Sequence, residues 1–411
     1  MSGQADTVDL LVVGGGFGGL YAARTAAHHG ARVALVDAQG QQTFQPLLYQ
    51  VATGQLPVDV VDYPLRLQHG VEAVTDRVTG IDLEAGAVTT QGGRTLVGRS
   101  LVIATGASVN FFGVPGAAEH ALPLYTDTDA LAIKHRLQQL VESGNPFDVV
   151  VVGAGATGVE ITGALSDVVH NVLPRTYPHF DGASVTVHVV DRAKAPLAHM
   201  LPASQAYAAK VLGESGVVFH LGQSVASVTA GGVALDDGSD IPAGMVVWAG
   251  GLTVDTPTMS PTPGRAKDGR ITIDETLRIP GHEHVYCIGD CAADAIAPLP
   301  QLGSVAKQQG IHVAHSVRRQ GHGHAPKPFH YRDLGVMAML RHYAAVVEAG
   351  PRHTEITGKP AYAMWLGLHA ALLPDDRDRV DAVHDWIHES TTGRLAFIAD
   401  PPEQTGPDTR R

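Results

Sequence analysis

The sequence predicts an α/β fold built on parallel strands, and two observations carry that prediction. The first is a pair of glycine fingerprints of the form G-x-G-x-x-G, Gly14-Gly15-Gly16-Phe17-Gly18-Gly19 and Gly153-Ala154-Gly155-Ala156-Thr157-Gly158. The second is their context. Each follows an apolar, strand-like run, Val8 to Val13 and Val149 to Val152, and each opens into a helix-compatible stretch. A single match is weak, because glycine-rich turns are common. Two in strand–turn–helix context predict two Rossmann-like dinucleotide-binding domains. Glycine lets the backbone turn tightly and approach a pyrophosphate, and the helix N-terminus meets the phosphate charge with free N–H groups.

Taken in order, Val8 to Val13 reads as a buried parallel strand, Phe17 to His29 as a helix and Arg32 to Val36 as a second strand. Asp37 ends that strand, 23 residues after Gly14. A carboxylate there is placed to accept hydrogen bonds from a ribose. Residues 71–103 alternate as short strands and lead into Leu101-Val102-Ile103-Ala104-Thr105-Gly106. The second unit starts with a helix near Thr126, followed by a strand over Asp148 to Val152. Its next strand, Val185 to Val190, ends at Asp191, 38 residues after Gly153. That separation exceeds the usual ~20, so Pro174 to Ser184, rich in turn-formers, is expected as an inserted loop. Trp248-Ala249-Gly250-Gly251 closes the unit, and Val285-Tyr286-Cys287-Ile288-Gly289-Asp290 returns the chain to the first. The second domain is thus expected inside the first. From His330 onward the Rossmann pattern gives way to a C-terminal α/β segment. The expected bounds are 1–125 with 267–329 for the first domain, 126–266 for the second and 330–411 for the third segment.

Composition narrows the classes. With 29 basic and 41 acidic residues the formal charge is −12, which argues against a nucleic-acid surface, since that needs clustered Lys and Arg. The 2 cysteines cannot form a disulfide framework, and a reducing compartment fits. No apolar run reaches membrane-spanning length, and no signal peptide precedes Val8. A cytoplasmic protein is expected, or a peripheral one at the inner face of a membrane.

The loop Phe44-Gln45-Pro46-Leu47-Leu48-Tyr49-Gln50-Val51-Ala52-Thr53-Gly54, with Gly158-Val159-Glu160, Ile288-Gly289-Asp290-Cys291-Ala292 and Ala306-Lys307-Gln308-Gln309-Gly310, resembles the type II NADH dehydrogenases among the two-dinucleotide flavoproteins. The resemblance spans roughly residues 8–370. It implies FAD on the first unit, NADH (alternatively NADPH) on the second, and two electrons passed on to a quinone or quinone-like acceptor. It assigns Gly14, Gly16, Phe17, Gly18, Gly19, Asp37, Gln45, Val78, Thr105, Gly106 and Asp290 to the flavin. It assigns Gly153, Gly155, Gly158, Asp191 and Gly250 to the nicotinamide nucleotide. Glu160, Lys307 and Gln308 are the expected catalytic residues. A Glu in the first turns of a helix is also favoured by the helix dipole alone. Facing an apolar pocket, its pKa is expected to rise, which suits proton relay to the acceptor.

Two departures from the family pattern stand out. Ser304 occupies a position where a glutamine often contacts the quinone, and a helix N-cap is its alternative role. Lys307 stands where a neutral residue or His is usual, either on a solvated helix face or toward the flavin, where its charge would favour an anionic reduced ring. The C-terminus also differs. Ala361 to Leu373 is apolar, as in an interfacial helix, but Asp375 to Glu389 carries six acids and two arginines, the wrong sign for an anionic surface. Val380, Val383 and Ile387 make only a thin apolar stripe, and the helix is expected to pack on the protein or at a homodimer interface, with membrane contact weak or absent.

No metal site is expected. The His384 and His388 pair in His384-Asp385-Trp386-Ile387-His388 is attributable to chance in a chain with 22 histidines. Cys291 is expected as a packed thiol, and no cysteine lies in the loop 38–57, where disulfide reductases carry their redox pair. A soluble NAD(P)H-dependent flavoprotein acting on a specialised metabolite would fit the altered acceptor helix, and a nucleotide-binding regulatory protein, with FAD and NADH as structural ligands, is an alternative of a different class.

Overall fold

A computed structural model describes residues 7–294 and 296–392. The chain forms two compact units. The first comprises residues up to Thr43, Asp62–Ser108 and Leu252–Leu334. The second comprises Phe44–Val61, Val109–Gly251 and the chain from Gly335 onward.

The first unit is organised by an eight-stranded sheet. Its centre is Thr7–Val13, paired in parallel with Val33–Asp37 on one side and Thr95–Ile103 on the other. Leu10, Leu11 and Val12 are buried on both faces, which explains why this strand reads as a continuous apolar run. The glycine turn then starts the Phe17–His28 helix. That helix packs against Gly303–Gly321. A Cβ at Gly310 would lie 2.2 Å from the Gly18 carbonyl oxygen, so small residues bring these two helices into backbone contact. The chain leaves this unit after Ser108 and returns at Leu252. The return comes well before Val285, because Thr258–Ser260 already pairs with Val78–Asp82.

The second unit repeats the plan in a five-stranded parallel sheet. Val149–Val152 lies at its centre, between Met245–Trp248 and Val187–Asp191. Its entry helix, Asp127–Ser143, is fixed by a capping box in which Thr126 and Asp129 satisfy each other's backbone N–H. The expected loop over Pro174 to Ser184 is shorter than the sequence suggests. The Ala156–Asp167 helix continues through a wide turn at Val168–Val172 and a further helical turn at Leu173–Thr176. Pro174 is tolerated because it sits in the first turn of that last segment. The longer helix accounts for the spacing from Gly153 to Asp191.

The C-terminal segment belongs to this second unit. A three-stranded antiparallel sheet, Gly335–Arg341, Ala344–Ala349 and Thr354–Thr357, precedes two helices, Gly358–Leu372 and Asp376–Thr392. The first helix buries Ala361, Trp365 and His369. The second buries Ala382 and Trp386. Val380, Val383 and Ile387 are exposed, so the helix packs on the protein, as expected, through other residues than this thin stripe. The indole of Trp386 decides the orientation instead, by anchoring to Gln50 (Nε1 to Oε1, 2.9 Å). No helix among the described residues is long and apolar enough to cross a membrane.

Candidate active site

The two glycine turns have matching geometry. In the first unit, a Cβ at Gly14 would lie 2.2 Å from the Ala104 carbonyl oxygen, and one at Gly19 would lie 1.8 Å from the Gly14 carbonyl oxygen. Gly14 also has φ +99°. No other residue fits either position. Gly16 caps the helix, and a Cβ there would meet nothing within 4 Å. That open space over free helix N–H groups suits a phosphate. The second unit repeats each feature. Gly153 has φ +110°, Gly158 is pressed against the Gly153 carbonyl and Gly155 faces open space.

The strand-end acids brace both turns. Asp37 accepts from Gly15 N at 2.8 Å through Oδ2, and from Gln39 N and Gly40 N through Oδ1. Asp191 accepts from Ala154 N at 2.6 Å and Ala193 N at 2.7 Å, one on each oxygen. A carboxylate oxygen holding one N–H retains capacity for a ribose hydroxyl. Asp191, Gly153 and Gly250 line a cleft of about 340 Å³ within the second unit. At its edge the Arg192 guanidinium lies 5.5 Å over the Phe112 ring. Phe112 holds φ +51° and is 55% exposed.

The remaining flavin-side positions divide by unit. In the first, Gly106 takes φ +71°, Val78 is half-buried in its strand, and Phe17 opens the helix against Gly303. Thr105 has a buried hydroxyl with no hydrogen-bond partner among the described residues. Burial pushes the Asp290 carboxyl up to about 6 against the opposing pull of Arg270, and Gln301 donates to the Asp290 carbonyl at 3.0 Å. An orphaned hydroxyl, a buried acid and a turn that admits only glycine fit a dinucleotide held on this unit. In the second unit, Gln45 donates to the Tyr125 carbonyl at 3.3 Å.

Glu160 is the most perturbed carboxyl of the second unit. It lies on the Ala156–Asp167 helix and is 9% exposed. Its Oε1 accepts from Met339 N and from Trp365 Nε1, each at 3.1 Å. Those bonds favour the charged form, but burial outweighs them and pushes the carboxyl up to about 8. Behind Trp365, the His369 ring stacks at 3.8 Å between centroids. Burial lowers His369 to about 4, so that wall is uncharged at neutral pH. The raised pKa expected from the sequence is present. Its cause is a shell supplied by the C-terminal segment.

On the acceptor helix, the N-cap alternative for Ser304 does not hold. The helix cap is Leu302, so Ser304 is no N-cap, and its hydroxyl lies 3.1 Å from that of Tyr331. Lys307 is half-buried. Its Nζ sits 4.4 Å over the Tyr21 ring. Gln308 exchanges two 3.0 Å hydrogen bonds with the Arg332 backbone, whereas Gln309 accepts from Gly289 N at 2.7 Å. Cys287 and Cys291 are both fully buried. Among the described residues, no group of three or more His, Cys, Asp or Glu is arranged to hold a metal.

A family profile described as pyridine nucleotide-disulphide oxidoreductase matches residues 8–316. The chain is 30% identical to the type II NADH:quinone oxidoreductase Ndh of Mycobacterium tuberculosis, over 98% of this chain and 92% of that one. The chain belongs to the type II NADH:quinone oxidoreductase family. An internal alternative NAD(P)H-ubiquinone oxidoreductase from Solanum tuberosum is 29% identical, over 94% of this chain and 87% of that one. The fold matches NDH2 of Plasmodium falciparum, solved with NADH, at a TM-score of 0.87. That match covers 95% of this chain and 99% of the other at 17% identity.

Three contributors to the Glu160 shell escape sequence reasoning: Trp365, the backbone of Met339, and Gln50 with its Trp386 partner. Trp365 lies in the apolar stretch that reads as an interfacial helix, where an indole counts as hydrophobic mass. The available signal was a tryptophan N–H in a buried stretch, which needs an acceptor.

Proposed function

We propose that this chain is an FAD-dependent oxidoreductase that takes hydride from NADH and reduces a quinone. The observation that carries the reading is a buried carboxyl, Glu160, that holds its proton at neutral pH within the unit that carries the second nucleotide cleft. Reducing a quinone to a quinol consumes two electrons and two protons, so a proton held near the acceptor lowers the barrier of the oxidative half. The chemistry supplied by bound FAD is acceptance of hydride from NADH and delivery of two electrons to the quinone.

The protein's own residues bind, orient and move protons. Gly14, Gly16, Gly18 and Gly19 admit the FAD pyrophosphate to a helix N-terminus, with Asp37 toward the ribose and Asp290, Thr105 and Gly106 toward the remainder. Gly153, Gly155, Gly158 and Gly250 do the same for NADH. Asp191 favours a free 2′-hydroxyl over a 2′-phosphate by charge. Glu160 carries its proton on Oε2, since Oε1 is taken by two donors. We assign the proton-bearing role to Glu160 alone. Lys307 and Gln308 brace their helix against Tyr21 and Arg332. In this reading FAD belongs to the first unit and NADH to the second, and the segment from Gly335 onward serves the acceptor side.

A second reading, reduction of a specialised metabolite, draws on the Ser304 hydroxyl paired with Tyr331 where a quinone-contacting glutamine is usual in the family. Membrane contact, in this proposal, is peripheral and weak, at the inner face. The acids of the Asp376–Thr392 helix oppose anionic lipid. Steady-state NADH oxidation with added short-chain quinones is the test. Turnover supports the reading. Flavin reduction without quinone turnover favours the metabolite alternative, and absence of flavin reduction leaves only a nucleotide-binding role.

A further inference from the structure

We propose that Glu160 is reloaded with protons through a water-holding cleft whose outer end is formed by His342, Tyr362 and Asp167. The proposal rests on the proton-bearing role of Glu160. The cleft lies wholly within the second unit. Its inner wall is buried: Glu160, Tyr49, Gln50 and Met339. Its outer wall is half-buried at Asp167, His342 and Tyr362 and exposed at Arg341. The lining therefore grades from the carboxyl to solvent.

Size decides what the cleft carries. Its volume is about 20 Å³. A water needs about 10–15 Å³, whereas small-molecule pockets run to roughly 300 Å³ or more. The cleft takes a water and excludes a quinone ring. Spacing explains why it exists. Glu160, Ala164 and Asp167 fall at i, i+4 and i+7 on one helix face, and the short Ala164 side chain leaves the passage between the two acids.

The donors and acceptors along it are suited to relay. Glu160 Oε1 is occupied by Met339 N and Trp365 Nε1. Oε2 has no protein partner among the described residues. At the outer end, His342 Nδ1 lies 3.4 Å from the Tyr362 hydroxyl. Burial holds the His342 pKa below its ordinary value, with Asp167 pulling the other way. A neutral imidazole takes a proton on one nitrogen while releasing one from the other. The polar and aromatic groups around Glu160 come from every element packed on the cleft, including Gln55 and, from the Asp376–Thr392 helix, Trp386. The helix of Glu160 itself gives Asp167, and the Gly335–Arg341 strand and the turn after it give Arg341 and His342. The Gly358–Leu372 helix gives Tyr362 and Trp365, and the Leu48–Ala52 helix gives Tyr49 and Gln50. When the Oε2–H bond breaks to form an O–H bond on the acceptor, the carboxylate takes a proton from cleft water. The water is restored through Tyr362 and His342 from bulk solvent, and no electrons move in this reloading.

The test follows hydrogen–deuterium exchange of the Glu160 carboxyl in the holoenzyme, by infrared spectroscopy after rapid mixing into D2O at pH 7. The carboxyl band is identified by its loss in Glu160→Gln. The double variant His342→Ala, Asp167→Asn is expected to exchange roughly tenfold more slowly, with imidazole restoring the rate. Reoxidation of reduced enzyme by quinone slows and is rescued in the same way. His342→Gln with Asp167→Asn serves if the alanine variant loses its flavin. Exchange at the parent rate in both variants overturns the cleft as the route. Absence of any band lost in Glu160→Gln overturns instead the protonated carboxyl on which the proposed function stands.

Discussion

Replacing Glu160 by Gln reads the buried carboxyl through stability rather than turnover. Folding displaces this group from 4.5 up to about 8. Across that interval the folded chain binds more protons than the unfolded one, so the contribution of Glu160 to stability falls as pH rises from about 4.5 to about 8. Each unit of displacement is worth about 1.4 kcal/mol. The full displacement approaches ~5 kcal/mol, and screening by water in the cleft brings the expected loss to between about 3 and 5 kcal/mol. Glutamine keeps the volume and an acceptor oxygen for Met339 N and Trp365 Nε1, but it does not titrate. The variant is therefore expected to gain stability over the parent as pH rises through this window, by most of that amount at pH 8.5. Urea unfolding at fixed pH between 5 and 8.5, followed by tryptophan fluorescence, measures it, because Trp365 and Trp386 lie in the same unit. Asp290 and Asp378, both pushed up to about 6 by burial, titrate in both proteins and cancel in the difference. Midpoints that shift in parallel for parent and variant would refute a Glu160 held protonated by the fold.

The other expectations concern the nucleotide sites and the surface. Gly153→Ala places a Cβ 2.9 Å from the Ala249 backbone at φ +110°. It should abolish NADH binding by calorimetry while leaving FAD content intact, and Gly14→Ala should do the reverse. NADH should be preferred over NADPH in kcat/KM because Asp191 repels a 2′-phosphate. Arg192 and Lys194 could each pair with that phosphate, and Arg192→Ala should widen the preference by removing the cation that lines the cleft beside the acid, roughly tenfold for a lost charge-assisted bond. A narrower ratio would exclude Arg192 from phosphate contact. Vesicles of anionic lipid should retain the protein weakly, because the acids of the Asp376–Thr392 helix accompany the exposed Val380, Val383 and Ile387. Strong co-sedimentation that persists at high salt would show that the apolar side chains outweigh the charge.

Much of the nucleotide-binding architecture is legible in the sequence because its determinants are local. The fingerprint marks Gly14 and Gly153 by their local turns, with φ +99° and +110°, although the backbone that crowds each comes from Ala104 and Ala249 on a distant strand end, and Asp37 and Asp191 brace turns at the ends of adjacent parallel strands. The entry helix at Thr126 is likewise a local capping event. The Glu160 environment is legible only in part. The fingerprint marks the residue, but its pKa is set by Met339 and Trp365, 179 and 205 positions away along the chain. The packing of the last helix on the protein is legible in the same partial way, because the sequence does not name the face that packs. Hydrophobicity alone favours Val380, Val383 and Ile387 as the packed face, whereas the Trp386 indole with its Gln50 acceptor fixes the opposite one. Ser304 and Lys307 show the same limit, since Tyr331 and Tyr21 take their polar groups and no periodicity announces either partner.

The central claim is a two-step transfer from NADH to a quinone through a flavin, with Glu160 serving the second step. Anaerobic stopped-flow absorbance of the flavin band measures both halves on one sample. NADH should bleach the band at similar rates in the parent and in Glu160→Gln. A quinone should then restore it in the parent and restore it roughly a hundredfold more slowly in the variant, the lower end of the range for a lost proton donor. Equal reoxidation in both proteins would remove Glu160 from the reaction, and a flavin that NADH leaves oxidised would contradict the account as a whole.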